Sequence, residues 1–194
     1  MTDLIQPSNV ISEAIPYSEI SDPDVLVENP LVSVLIITYN HGPYIADAIE
    51  AVICQKTGFS IELIIGEDCS TDNTRGIVLE YRRRYPQMIR VIYSDRNVGM
   101  QRNYRRVYEA ARGEYIAFCE GDDAWIDDRK LEKQVNVMRS EPDCSMVFHA
   151  AEIFRVRKGT TEIRQYGSSA KIFSLAEVVL AGGGFIFAGS TMVR

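Results

Sequence analysis

Val32-Ser33-Val34-Leu35-Ile36-Ile37-Thr38, followed at once by Tyr39-Asn40-His41-Gly42-Pro43, decides the fold. The first seven residues form a β-branched apolar run without sustained polar alternation, which reads as a strand buried on both faces. The next five are turn chemistry, with Pro43 suited to the first turn of a helix. Tyr44 to Gln55 continues with apolar residues at helical spacing (Ile45, Ala48, Ile49, Val52, Ile53).

The same succession repeats down the chain. Ile61 to Ile65 reads as a second strand, and a helix from Ser70-Thr71-Asp72 to Arg84 follows it. Ser70 or Thr71 suits the N-cap, with Asp72 near the positive helix end. Ile89 to Tyr93 is the third strand, Asp95 to Gly99 a loop, and Met100 to Ala111 a helix ended by Gly113. Tyr115 to Cys119 is the fourth strand, and a helix starting at Asp127 or Asp128 runs to Arg139. Strands alternating with helices imply right-handed βαβ units. The expected fold is α/β, a three-layer α/β/α sandwich around a mainly parallel, mixed sheet, with ligands collecting at the carboxyl ends of its strands.

Outside this frame the pattern weakens. Cys144 to Phe154 reads as one more extended segment, Lys158 to Thr160 as a turn, and Glu162 to Tyr166 as the returning half of a hairpin. Ser174 to Leu180 is a short helix, Gly182 to Gly184 a flexible joint, and Phe185 to Val193 strand-like. Residues 1–30, with four prolines and no sustained period, read as an acidic tail or docked arm in which Ile11, Ile15 and Tyr17 could pack. Residues 31–194 then form the domain.

Composition narrows the classes. The 194 residues are 46% hydrophobic and 25% charged, which fits a soluble globular domain rather than a disordered or collagen-like chain. There is no run of about 18 apolar residues to span a membrane, and residues 1–30 do not read as a secretory leader. The net charge of -6 comes entirely from six acids in residues 1–30, so the body is neutral. Ten of the 16 arginines lie between Arg75 and Arg112, but no basic-aromatic motif accompanies them, so nucleic acid is not the expected partner. Cys54, Cys69, Cys119 and Cys144 show no C-x-x-C spacing, and only His41 and His149 could join them at zinc. Reduced, mostly buried cysteines in a cytoplasmic protein are expected.

Four clusters could carry chemistry, each at the end of a strand. Glu120-Gly121-Asp122-Asp123 packs three carboxylates into four residues. Two like charges about 4 Å apart repel by roughly 4 kcal/mol at an effective dielectric of about 20. Hydration relieves this in an acidic helix cap, and Mg²⁺ or Mn²⁺ relieves it in a metal site. Glu67-Asp68 could accept from a base or ribose hydroxyl, or cap the following helix. Tyr39, between Thr38 and Asn40, could lie against a flat ring or simply end a strand. Asn97 and Arg102 flank a helix start that could hold a phosphate, or form plain loop and helix surface. No G-x-G-x-x-G, Walker A or G-x-S-x-G pattern is present.

In this order the motifs resemble a family 2 nucleotide-sugar glycosyltransferase of the GT-A fold. The resemblance rests on Val32 to Asn40, Ile64 to Thr74, Asn97-Val98-Gly99, Gly113 to Phe118, and Glu120 to Asp123 leading into Lys130-Leu131-Glu132-Lys133-Gln134. It covers residues 31–154 well and the rest weakly. It implies donor-nucleotide contacts from Thr38, Tyr39, Asn40, Glu67, Asp68, Asn97, Arg102, Glu120 and Gly121. It implies Asp122 as ligand of Mg²⁺ or Mn²⁺ and Asp123 near the donor sugar. The implied partners are a nucleotide sugar, with uridine the family preference, and a saccharide or lipid-linked saccharide acceptor. Work on bacterial surface polysaccharide, at the inner face of a membrane, follows from the same resemblance.

Two departures stand out. Glu67 and Glu120 occupy positions where the family more often has Asp. The catalytic base of inverting members lies beyond the strand that Ser190 to Arg194 resembles, so it is expected past Arg194. Glu177 and Asp143 are the remaining candidates. A nucleotidyltransferase would want a glycine-rich basic loop in place of Tyr39 to Pro43, and a receiver-like signalling domain would want acids at the end of the first strand. A nucleotide-sugar-binding module without activity stays open.

Overall fold

The computed structural model describes residues 16–155, 158–182 and 184–194. Ile11, Ile15 and Gly183 lie outside the described residues. Strands β1 (Ser18–Ile20), β2 (Val32–Thr38), β3 (Ile61–Glu67), β4 (Ile89–Tyr93), β5 (Tyr115–Glu120), β6 (Met146–Val147) and β9 (Met192–Val193) make one sheet in the order β1-β4-β3-β2-β5-β9-β6. β4, β3, β2 and β5 run parallel, while β1 and β9 pair antiparallel to their neighbours. β7 (Ala151–Arg155) and β8 (Thr160–Arg164) form a separate hairpin.

The helices are α1 (Ile45–Ile53), α2 (Thr74–Arg84), α3 (Met100–Glu109), α4 (Lys130–Ser140) and α5 (Leu175–Ala181). Pleating sorts the strand residues. Val32, Val34 and Ile36 meet α1, α2 and α4 on one face; Leu35 and Ile37 meet α3 on the other. The helices therefore change faces where the chain reverses its direction of growth across the sheet. β2 leads through α1 to β3, and β3 through α2 to β4. The return from β4 to β5 crosses back, so a right-handed connection puts α3 on the opposite face. The expected three-layer α/β/α architecture with a mainly parallel sheet is the architecture found.

Several local expectations are corrected. α2 begins at Thr74 with Asn73 at its cap, because Asp72 accepts from the Thr74 amide (2.9 Å) and hydroxyl (2.5 Å) before the helix turns. α4 begins at Lys130, because Asp127 is engaged with the Arg129 amide and with Lys133. The segment 144–154 is not one strand. Met146–Val147 pairs with β9, and Ala151–Arg155 leaves to pair with β8. Only Cys119 is buried; Cys54 is exposed, and Cys69 and Cys144 are half-buried. Tyr17 is exposed, while β1 is held to β4 by Glu19, which ion-pairs with Arg90 at 2.8 Å.

Candidate active site

β2 is the strand at which connections part, with β3 on one side and β5 on the other. Its register sets Thr38 beside Glu67 and Ile37 beside Glu120, so the carboxyl ends of three strands open into one crevice. The crevice holds about 430 Å³ and is walled by Thr38, Tyr39, His41, Asp68, Asn97, Asn103, Glu120 and Asp122, among others. A more apolar hollow of about 590 Å³ lies on the α3 side and shares Met100 and Glu120 with it.

One wall is laced together by side chains. Asp68 is 2% exposed; its carboxylate accepts from the Val98 amide (2.8 Å) and the Gly99 amide (2.9 Å) at the N-terminus of α3. A carboxylate there is favoured by the helix dipole and fixes the loop. Asn97 donates to the Asp68 carbonyl at 3.0 Å, which sets its own side of the crevice. Tyr39 is 43% exposed and stands at the mouth, where its ring is free to face a ligand. Asn40 takes a left-handed backbone (φ 56°), which Asn tolerates, and its side chain accepts from the Thr71 amide. It ties the two loops together and does not line the crevice.

The opposite wall is acidic. Burial raises the carboxyl of Glu120, and Asp123 and Asp122 add to the effect. Burial likewise raises Asp123, with Asp122 adding. The Tyr104 hydroxyl reaches Glu120 at 3.4 Å. Asp122 is exposed to the crevice. Oxygen-only donors crowded against their own repulsion suit a hard divalent cation. Among the described residues no three His, Cys, Asp or Glu side chains converge as a complete cage. An ion here would be held by one carboxylate and completed by a ligand's own oxygens.

Some expected site residues lie elsewhere. Glu67 is fully buried; its carboxylate accepts from the Ser70 amide (2.6 Å) and pairs with Arg75 (2.5 Å). It braces the loop that carries Asp68. Arg102 is exposed on the outer side of α3, and its neighbour Asn103 faces the crevice in its place. One helical step turns a side chain by about 100°, so consecutive residues cannot share a face. Gly121 is buried backbone beneath the crevice, with its amide on the Ile37 carbonyl (3.0 Å). Asp123 turns toward Gly189, away from the crevice lining.

Glu177 is not among the residues that wall the crevice. It closes a capping box on α5, and the Ser174 amide together with Lys171 draws its carboxyl down to about 2. His41, which carried no signal in the sequence, is a wall residue. Its Nδ1 and the Thr38 Oγ1 are buried without partners among the described residues. Its place directly after Tyr39-Asn40, in the turn leaving a central strand, is the one sequence cue that could have found it.

The sequence matches the glycosyl transferase family 2 pattern over residues 33–193. The chain belongs to that family. It is 40% identical over 119 residues to the putative teichuronic acid biosynthesis glycosyltransferase TuaG of Bacillus subtilis, covering 61% of this chain and 46% of that protein. It is 43% identical over 122 residues to an uncharacterized protein of Mycobacterium tuberculosis, covering 63% of this chain and 35% of the other. The chain thus spans less than half the length of these curated relatives. Among solved structures, S. aureus TarS 1-349 in complex with UDP superposes with a TM-score of 0.52 at 26% identity, covering 57% of this chain and 32% of that one. The Pyrobaculum calidifontis mannosyltransferase PcManGT, solved with GDP-Man and Mn²⁺, shares the fold with a TM-score of 0.56 at 21% identity, covering 74% and 40%. The family 2 chain thus has the GT-A fold expected of it. No helix among its described residues is long and apolar enough to cross a membrane.

Proposed function

We propose that this chain carries the donor site of an inverting, metal-dependent glycosyltransferase that takes a nucleotide-diphosphate sugar, with uridine as the base. The observation that carries this reading is the pairing of the two walls. Tyr39, Asp68 and Asn97 form a side suited to a base and ribose, and Glu120 with Asp122 face them across a crevice of about 430 Å³. Tyr39 lies against the base. Asp68 keeps lone pairs free beyond its two amide bonds and accepts from the base or ribose. Asp122 holds Mg²⁺ or Mn²⁺, which when bound supplies charge neutralisation at the diphosphate leaving group. Glu120 stays close to the ribose and metal. The catalytic base and the acceptor's binding residues are not assigned to this chain.

The acceptor is a saccharide or lipid-linked saccharide, and the setting is surface polysaccharide synthesis on the cytoplasmic side of a membrane. The similarity to relatives named for teichuronic acid biosynthesis and as the putative glycosyltransferase EpsH supports this setting. Calorimetric titration of UDP with and without Mn²⁺, against GDP and ADP, tests the donor site. UDP should bind more tightly with Mn²⁺, and Asp122→Ala should remove that gain. An unchanged metal effect in Asp122→Ala would exclude Asp122 as the ligand. No nucleotide binding by the folded wild type would sink the donor-site reading itself.

A further inference from the structure

The segment Lys130 to Gln134 belongs to the sequence pattern but to neither wall of the crevice. Lys130 and Gln134, one helical turn apart on α4, share a face. Each is 4% exposed. The Lys130 ammonium lies 3.9 Å from the centre of the Trp125 ring and donates to the Gln134 side-chain carbonyl at 2.9 Å. The Trp125 indole N–H donates to the Gly189 carbonyl at 2.8 Å, and the Gln134 amide to the Ser190 carbonyl at 2.8 Å. No carboxylate pairs with Lys130 among the described residues. A buried cation without a counter-charge is costly, so its retention calls for an account.

The geometry points to a clasp: Lys130, Trp125 and Gln134 hold the far end of the Glu120–Trp125 turn against residues 188–190, and Lys130 is the positioning residue for Asp122 and Asp123. Trp125 is three residues beyond Asp122, so its position limits where that carboxylate can stand. Gly189 meanwhile packs directly against the Asp123 carboxylate, with no room for a side chain between them. The other side of the turn is pinned independently. Gln55 donates to the Asp127 carbonyl (2.8 Å) and accepts from the Leu131 amide (3.1 Å). Burial draws the Lys130 amine down to about 7, which fits an ammonium whose main partner is an aromatic face. The titratable groups around it are Cys119 of β5 beneath it, and Asp127 and His149 nearby.

This inference rests on the donor-site reading for its consequence, but not for its first readout. Trp125 is the chain's single tryptophan, so its fluorescence reports the clasp alone. In ligand-free protein, emission should change in a step near pH 7 as Lys130 titrates, and Lys130→Met should abolish the step. A His149→Gln background removes the nearby imidazole from the comparison. Identical Trp125 emission in wild type and Lys130→Met at every pH overturns the clasp, whether or not any nucleotide binds; a constant difference without a step supports a clasp in which Lys130 stays charged. The second readout is UDP affinity with and without Mn²⁺. Lys130→Met and Trp125→Phe should leave metal-free affinity unchanged and weaken the metal-dependent gain by about tenfold or more, as loss of a supporting partner does at other metal sites. Trp125→Phe keeps an aromatic face while it removes the bond to Gly189 and weakens the contact with Lys130, so it serves even where Lys130→Met fails to fold. Equal losses with and without Mn²⁺, or none, overturn the positioning role. Wild-type protein that binds no UDP counts against the donor-site reading, and the emission of wild type against Lys130→Met then decides the clasp.

Discussion

At the scale of single residues, Gly121 explains why the acidic turn can press so closely on β2. A Cβ there would stand 2.7 Å from both His41 Nδ1 and Thr38 Oγ1, and 2.8 Å from Thr38 Cβ. The last of these belongs to a fully paired central strand and cannot swing away. Gly121→Ala should therefore cost about 1–3 kcal/mol, as overpacking does elsewhere, and should weaken UDP binding by moving Asp122. Thermal melting and titration of the same variant check both effects; a variant that melts and binds like the wild type would mean the turn has room to shift. The sequence made Glu120-Gly121-Asp122 legible as a cluster of carboxylates. It did not reveal why the middle residue is glycine, since that depends on two side chains some 80 positions upstream. His41 had only a positional cue, its place in the turn after Tyr39-Asn40, because a turn histidine has no spacing signature. Charge singles out Arg102 in the sequence, whereas helix geometry gives the inward position to Asn103.

At the scale of elements, the strands on the β4 side are locked by charges that no pattern in the sequence announces. Glu62, inside an apolar strand, is fully buried and pairs with Arg90 (3.1 Å) and Arg112 (2.8 Å), while Arg90 also holds Glu19 of β1. Burial pushes the Glu62 carboxyl up, but hydrogen bonds from Ser33 and Arg112 outweigh it and the net direction is down. Apolar periodicity finds strands and is silent about a lone acid and base that meet across them, so in the sequence β1 looks like part of an arm. Arg90→Met should cost roughly 3–5 kcal/mol, because it leaves buried carboxylate without one of its partners. It should also free β1, and limited proteolysis within residues 16–30 should quicken. Restoration of much of the loss by Glu62→Leu in the same chain would tie the cost to the stranded charge. Equal protease resistance in wild type and Arg90→Met would show that β1 is held by its backbone pairing alone.

At the scale of the whole molecule, strand and helix alternation sufficed for the sheet, its parallel core and the location of the crevice. The short β6 and β9, which close the far edge, were legible only as longer extended segments, because two-residue strands carry no period that sets their bounds or partners. The buried charges set how the whole fold responds to pH. Glu19 and Glu62 both titrate below the ordinary 4.5 in the folded chain. Their stabilisation is complete above that value and is lost as pH falls through the folded values. Lys130 acts in the opposite sense: its amine falls from 10.5 to about 7, so above pH 7 the unfolded chain binds a proton that the folded chain does not. Stability should therefore rise with pH from about 7 upward. Cys119 limits the window. Burial holds its thiol above the usual 9.0, so above pH 9 the unfolded chain alone loses that proton, which offsets the Lys130 gain that runs on to 10.5. Urea unfolding at intervals from pH 4 to 10 should thus show an acid limb, a second climb between about 7 and 9, and a plateau beyond. Lys130→Met should flatten the second climb and leave the acid limb in place. A wild type whose stability is flat from pH 7 to 9 would mean that Lys130 keeps its charge in the folded chain, and that the indole face and the Gln134 carbonyl solvate it well enough without a carboxylate.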